Sequence, residues 1–196
     1  MRYAAYTLII LAMVSCLGCL TSSTSSIRWS ENIAMSGTAD DPRLNDGNLY
    51  SVGETSPIRD DPNNPDSYKE ADEYSQAVIQ WGRPQQVQRI IVIAKEGQLE
   101  FFEIQYEDEN GKWKTVRSVR DHLRPEYKYT GKEPMTTRKV RLKVPRRWDS
   151  RRVGGEKRRT VTDGGAPVVR NRKIQEIEVY YALPPEEPVV PETSDQ

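Results

Sequence analysis

Leu44-Asn45-Asp46-Gly47-Asn48-Leu49-Tyr50-Ser51 gathers a carboxylate, side-chain amides and a hydroxyl around a glycine that permits a sharp turn. These are hard oxygen donors, of the kind a calcium ion collects in sets of about 6–8 on a bent loop. A plain Asn/Asp-Gly turn has the same composition, because such side chains also hydrogen-bond their own backbone. Both readings stand on these residues. Glu176 and Asp46 would make a carboxylate pair, and nothing in their spacing selects acid/base work over an ion cage. A second stretch, Arg146-Arg147-Trp148-Asp149-Ser150-Arg151-Arg152, joins an indole to a set of guanidinium groups. An aromatic face stacks on the apolar face of a sugar ring, and arginine forks take carboxylate, sulfate or phosphate bidentately. Trp148 with Arg146, Arg147, Arg151 and Arg152 is therefore a candidate ligand surface. The alternative is a solvated charge run covering the acidic stretch 55–74.

Catalysis finds little to work with. His122 is the single histidine, and Asp121 beside it points away if the pair lies on a strand. No G-x-S-x-G, H-E-x-x-H or P-loop spacing occurs. The expectation is a binding protein without catalytic residues.

These residues need a scaffold, and the run from Ala77 to Val116 predicts one. Ala77 to Trp81 reads as a short strand, stopped by Gly82 and turned by Pro84, which has no ladder donor. Val87 to Ala94 is almost unbroken in β-branched residues, as for a strand covered on both faces. Phe102, Ile104 and Tyr106 alternate with Glu103, Gln105 and Glu107, the period of a half-buried antiparallel strand. Asn110-Gly111 then predicts a tight hairpin with both central residues at positive φ, and Trp113 and Val116 return on its second strand. Tyr127 and Tyr129 mark one short strand amid loops. Val140, Leu142 and Val144 face inward on the next, and Lys173 to Tyr181 supplies the last. Residues 55–74 and 145–172 show no strand period and read as long loops. This is an all-β sandwich.

The same residues carry a resemblance. Residues 79–90 resemble the discoidin segment in which a strand ends in a Gly-x-Pro turn before a buried strand, and 102–113 are similar to its strand, acidic turn and Trp hairpin. Asn32-Ile33-Ala34 and Leu44-Asn45-Asp46-Gly47-Asn48 resemble its opening strand and Asp-Gly loop. Arg138 to Leu142 and Glu176 to Tyr180 resemble its last two strands. Five stretches in the right order, over about residues 30–181, point to a discoidin (coagulation-factor type C) domain of the galactose-binding-like superfamily. The resemblance implies a jelly-roll β-sandwich whose end loops meet sugars or lipid head groups. It also implies a structural Ca²⁺ on Asp46, Asn48 and Ser51, with Glu176 from the last strand and nearby carbonyls.

The chain has 196 residues, 36% hydrophobic and 30% charged, with a formal net charge of zero. No global field argues for nucleic acid, yet the charge is divided. Residues 31–73 hold eleven acids against three bases, and residues 138–173 hold fourteen bases against three acids. Both cysteines, Cys16 and Cys19, precede the domain, so its body carries no disulfide, which suits a bacterial envelope protein. Arg2 and the apolar Tyr6 to Val14 make a leader too short for the roughly 20 residues of a membrane span. Met13-Val14-Ser15 before Cys16 resembles the lipobox of bacterial lipoproteins, in which that cysteine becomes the lipidated N-terminus. Cys19 is the competing site, and an ordinary cleaved signal with incidental cysteines is the remaining reading.

The expected organisation is a signal peptide at 1–15, a Ser/Thr-rich tether at 16–28, the sandwich at 29–182 and a disordered Pro/Glu tail at 183–196. The expected function is recognition of a carbohydrate or other anionic envelope polymer by a lipid-anchored module. That places it in the bacterial cell envelope, at the outer membrane in a Gram-negative host. A structural or protein-interaction lipoprotein of an envelope assembly is the alternative.

Overall fold

The computed structural model describes residues 27–58, 73–95, 98–146, 149–150, 159–160, 162–163, 166–167 and 171–185. The leader 1–15, Cys16, Cys19, the tether up to Ser26, Arg147, Trp148, Arg151, Arg152 and the tail beyond 185 lie outside the described residues. In chain order come a 3-10 turn Ile33–Ser36, β1 Thr38–Ala39, a second 3-10 turn Pro42–Leu44, β2 Gly53–Glu54 and β3 Ser56–Pro57. The body follows with β4 Tyr74–Ala94, β5 Phe102–Glu107, β6 Trp113–Val119 and β7 Glu126–Pro145. The two-residue strands β8 Asp149–Ser150, β9 Arg159–Thr160, β10 Thr162–Asp163 and β11 Ala166–Pro167 precede β12 Lys173–Tyr180.

Two long bent strands build both layers. Residues 74–80 of β4 pair antiparallel with 139–145 of β7, and residues 85–93 of β4 pair with 126–137 of β7. The ladder skips between Gln80 and Gln85. Gly82 and Pro84 therefore bend one strand from layer to layer, where the sequence predicts two separate strands. Pro84 offers no N–H, and the gap in the ladder asks for none. Likewise β7 is one strand of 20 residues through Tyr127, Tyr129 and Val140, not a short strand followed by another. The first layer adds β5 and β6 beyond β7, with β1 and β3 on the far side of β4. The second adds β12 beside β4 and β2 beside β12. Ile79, Ile104 and Leu142 from the first layer meet Ile90, Val92, Ile177 and Val179 from the second in one buried cluster. Burial of such side chains stabilises by about 1.5–3 kcal/mol each.

Four local expectations need correction. The Asn110-Gly111 hairpin is not a two-residue turn of the mirror type: Gly111 is at φ 74°, while Asn110 is not at positive φ. Instead Asp108 N donates to Lys112 O at 2.8 Å, and Asp108 Oδ1 accepts from the N–H groups of Asn110 and Lys112, both at 2.9 Å. The acidic side chain closes a wider loop itself. Residues 33–36 form a 3-10 turn where an opening strand was expected, because Asn32 Oδ1 accepts from Ala34 N at 3.1 Å and starts the turn. Residues 56–57 and four pairs within 149–167 are extended and paired, although no apolar period marks them. Arg141, which the alternation with inward Val140 and Leu142 predicts to point outward into solvent, is 7% exposed. Its Nε donates to Gln105 Oε1 at 2.7 Å, its Nη1 to Gln76 Oε1 at 3.1 Å, and its guanidinium lies 4.2 Å from the Trp113 ring centre.

Candidate functional site

The strand registers carry the stubs of the long connections to one end of the sandwich. Tyr74 faces Pro145 across the first layer, and Ile174 faces Ala94 across the second. Arg146 N donates to Glu73 O at 2.8 Å, so the roots of the acidic stretch before Glu73 and of the basic stretch after Arg146 lie side by side. Arg172, where the basic stretch returns, donates from Nη2 to Pro145 O at 3.0 Å. Its backbone exchanges bonds with Thr55: Thr55 N to Arg172 O at 2.9 Å, and Arg172 N to Thr55 Oγ1 at 2.8 Å. Thr55 Oγ1 lies 2.8 Å from Ser75 Oγ. This buried polar weave satisfies backbone groups that no ladder reaches. Of the five residues proposed as a ligand surface, Arg146 is described and is half-buried at this root.

His122 belongs to the same end and is packed. Its ring meets Phe102 edge-on at 6.3 Å and Tyr127 at 5.2 Å, with Phe102 and Tyr127 also 5.2 Å apart. Burial lowers its pKa from the ordinary histidine value, against smaller upward pulls from backbone groups of Glu126 and Arg124. Asp121 stands beside it at φ 63°, a left-handed conformation that aspartate tolerates better than most residues. The histidine is a wedge under the 119–125 loop.

The oxygen-rich loop is built by the N-terminal segment. Ala34 and Leu44 are fully buried, and Trp81 Nε1 donates to Ile33 O at 2.9 Å, which straps the segment to the sandwich. Asn45 Nδ2 donates to the carbonyls of Ala34 at 2.7 Å and Gly37 at 3.1 Å. Gly47 turns at φ 73° and donates its N–H to Glu176 Oε2 at 3.2 Å. Asp46 Oδ1 accepts from Asn48 N at 2.9 Å and from Ser51 Oγ at 3.0 Å. The four residues expected to share an ion, Asp46, Asn48, Ser51 and Glu176, thus meet in one loop and strand. Asn48 departs in detail: its Oδ1 accepts from Tyr50 N at 3.0 Å, as in a plain Asx turn.

Glu176 is 1% exposed, and its Oε1 has no hydrogen-bond partner. A buried carboxylate oxygen left unpaired is costly. Burial raises its pKa to about 7, opposed by the Gly47 N–H and helped upward by the Asp46 and Glu178 carboxylates. Among the described residues, no three His, Cys, Asp or Glu side chains form a cluster, so Asp46 and Glu176 are the two carboxylates this loop and strand bring near each other. Oxygen donors suit Ca²⁺ and not a softer metal, and the unpaired Glu176 Oε1 is the atom such an ion would satisfy.

A third feature lies at the opposite end, where a cleft of about 450 Å³ is lined by Pro84, Glu107, Asp108, Glu109, Thr137 and Arg138. Glu107 is engaged by Lys139 at 2.7 Å and Asp108 by Lys114 at 3.2 Å, so these carboxylates serve the sheet.

No family model and no curated sequence matches the chain. Solved structures do. A chitosan-binding module of a Paenibacillus sp. IK-5 chitosanase/glucanase aligns at TM-score 0.51 and 18% identity, over 78% of this chain and 100% of that one. A Clostridium perfringens module, CpGH89CBM32-6, aligns at TM-score 0.50 and 15% identity, over 76% and 98%. A Streptococcus pneumoniae fucose-binding module, SpX-3, aligns at TM-score 0.50 and 15% identity, over 78% and 98%. At these identities the likeness speaks to fold alone. The bent strands, the strapped Asp-Gly loop and these alignments lead to one statement: the chain folds as a discoidin-like, galactose-binding-type jelly roll, the fold of family 32 carbohydrate-binding modules.

Proposed function

We propose that this protein is a non-catalytic carbohydrate-binding module held at the bacterial cell envelope by a lipid on Cys16, with Cys19 as the lesser alternative. The observation that carries the binding reading is the loop end, where Glu73, Pro145, Arg146 and Arg172 bring the roots of the acidic and basic stretches together on a sandwich shared with carbohydrate-binding modules. An acidic glycan or another anionic envelope polymer would meet Trp148 with Arg147, Arg151 and Arg152. Calcium would sit on Asp46 and Glu176, with Ser51, Asn48 and neighbouring carbonyls, as a structural brace. The same adjoining roots support a second reading, in which the acidic stretch neutralises the basic one and the surface recognises a protein partner of an envelope assembly.

Salt separates the two. A polymer held by several arginines is released steeply as salt rises, because exposed charges are screened beyond roughly 8 Å at physiological ionic strength. Arg147, Arg151 and Arg152 changed together to Ser are expected to abolish retention on acidic glycans while the melting temperature holds. Arg146 is left in place because it is half-buried at the root. A triple variant that melts early, with a wild type indifferent to every acidic glycan on the array, would favour the internal pairing.

The anchor has its own test. One acyl chain binds a membrane only marginally, whereas a multiply acylated cysteine binds stably. Cys16→Ser is expected to leave an unprocessed precursor and to move the protein out of the membrane fraction. Full retention in the Cys16→Ser, Cys19→Ser double variant would dispose of the lipid anchor.

A further inference from the structure

The tip of the ion loop carries a feature that the loop end does not explain. Tyr50 is 96% exposed, with Leu49 at 48% and Met35 at 57% beside Gly47 on the same segment. The backbone under the ring is fixed. Tyr50 N donates to Asn48 Oδ1 at 3.0 Å, Ser51 N to Asn48 O at 3.0 Å, and Gln175 Nε2 to Leu49 O at 2.8 Å. An aromatic held on an ordered turn has lost its backbone freedom before any ligand arrives, so binding does not have to supply that cost.

We propose that Tyr50 is a stacking platform for an uncharged sugar ring, a second carbohydrate contact made by other residues than those of the basic stretch. This rests on the carbohydrate-binding reading. The tyrosine ring would take the apolar C–H face of a pyranose. The side-chain amides of Asn48 and Gln175 each bind this turn with one atom and would offer the other to the hydroxyls around the ring's edge. Charge selects the ligand. Residues 31–58 carry five acids against one base, a field that repels anionic polymers and anionic bilayers and leaves neutral sugars unopposed. The two contacts would thus differ in kind, one tolerant of salt and the other sensitive to it. The tip is also tied to the ion loop, since Ser51 and Asn48 bind Asp46 from the residues flanking Leu49 and Tyr50.

The experiment uses the full chain on an array of neutral hexose- and deoxyhexose-terminated oligosaccharides, with phosphatidylglycerol vesicles as a parallel arm. Tyr50→Ala is expected to lower retention on neutral glycans about tenfold at unchanged melting temperature, and Tyr50→Phe to retain it. Equal retention of Tyr50→Ala and wild type overturns the platform and leaves the carbohydrate reading intact. A wild type that holds no glycan, neutral or acidic, overturns both. Loss of vesicle binding in Tyr50→Ala with glycan retention unchanged assigns the tip to lipid and overturns the platform.

Discussion

With calcium chelated, the protein is expected to lose stability as pH rises from about 5 to about 7.5, and calcium is expected to restore it. The cause is Glu176. Its carboxyl is raised from 4.5 to about 7 in the folded chain, so folding takes up a proton between those values. A raised pKa contributes stability that is complete below about pH 4.5 and is lost as pH passes through about 7. At roughly 1.4 kcal/mol per unit, the loss is about 3 kcal/mol, which for a domain of this size is roughly 6–12 °C in melting temperature. Calcium bound at about a hundred times its Kd would add about 2.7 kcal/mol to the native state and would hold the carboxylate ionised. Glu176→Gln is expected to flatten the metal-free profile and to abolish the calcium response.

Two other groups bear on the same curve. His122 has a lowered pKa and so pushes stability the opposite way, upward with pH through its ordinary range; the difference between wild type and Glu176→Gln removes it. Asp41, held at about 2 by the Arg43 side chain, loses its contribution only as pH falls below about 4. A wild type with no metal-free slope and no response to calcium would refute the ion loop.

Phe102→Ala is expected to cost about 3–5 kcal/mol, read as a lowered urea midpoint. Phe102 is 2% exposed, begins β5 and carries both His122 and Tyr127 on its ring. Its removal opens a cavity under the 119–125 loop, where no neighbour can follow, because Ala94 N is tied to Pro125 O at 2.8 Å and His122 N to Glu100 O at 3.1 Å. Phe102→Leu is expected to recover more than half of the loss. A shift below about 1 kcal/mol for the alanine variant would show that the loop relaxes around the gap, and the wedge role of His122 would fall with it.

Alternation made the layers legible. Phe102 with Ile104, and Val140 with Leu142 and Val144, are buried as their period requires. The bends were not legible. Gly82 and Pro84 carry the same local signal whether a strand stops or turns a corner, and only the partner strand decides between them. Arg141 escaped for a related reason: its burial depends on Trp113, Gln105 and Gln76, residues distant in sequence that β-pairing brings near. The turn at Asp46, Gly47, Asn48 and Ser51 was legible, because neighbours in sequence build it. Glu176 could be named as a carboxylate partner of Asp46, but its place beside Gly47 came only with the family likeness, since that distance is set by the whole sandwich. The exposure of Tyr50 has no sequence signal, because an aromatic in a turn is as often folded inward.

The bent strands have a consequence for how the chain reaches this state. Tyr74 pairs with Pro145, some 70 residues later, and β12, at the far end of the domain, closes the second layer against β4 and β2. Early contacts thus earn little until late residues exist, which places this topology among the slower folders. While the ribosome still holds residues 174–180, Ile90 and Val92 lack their covering strand and Gly47 lacks the Glu176 carboxylate. Until those residues emerge, the nascent sandwich stays open and its second layer has no strand to close it.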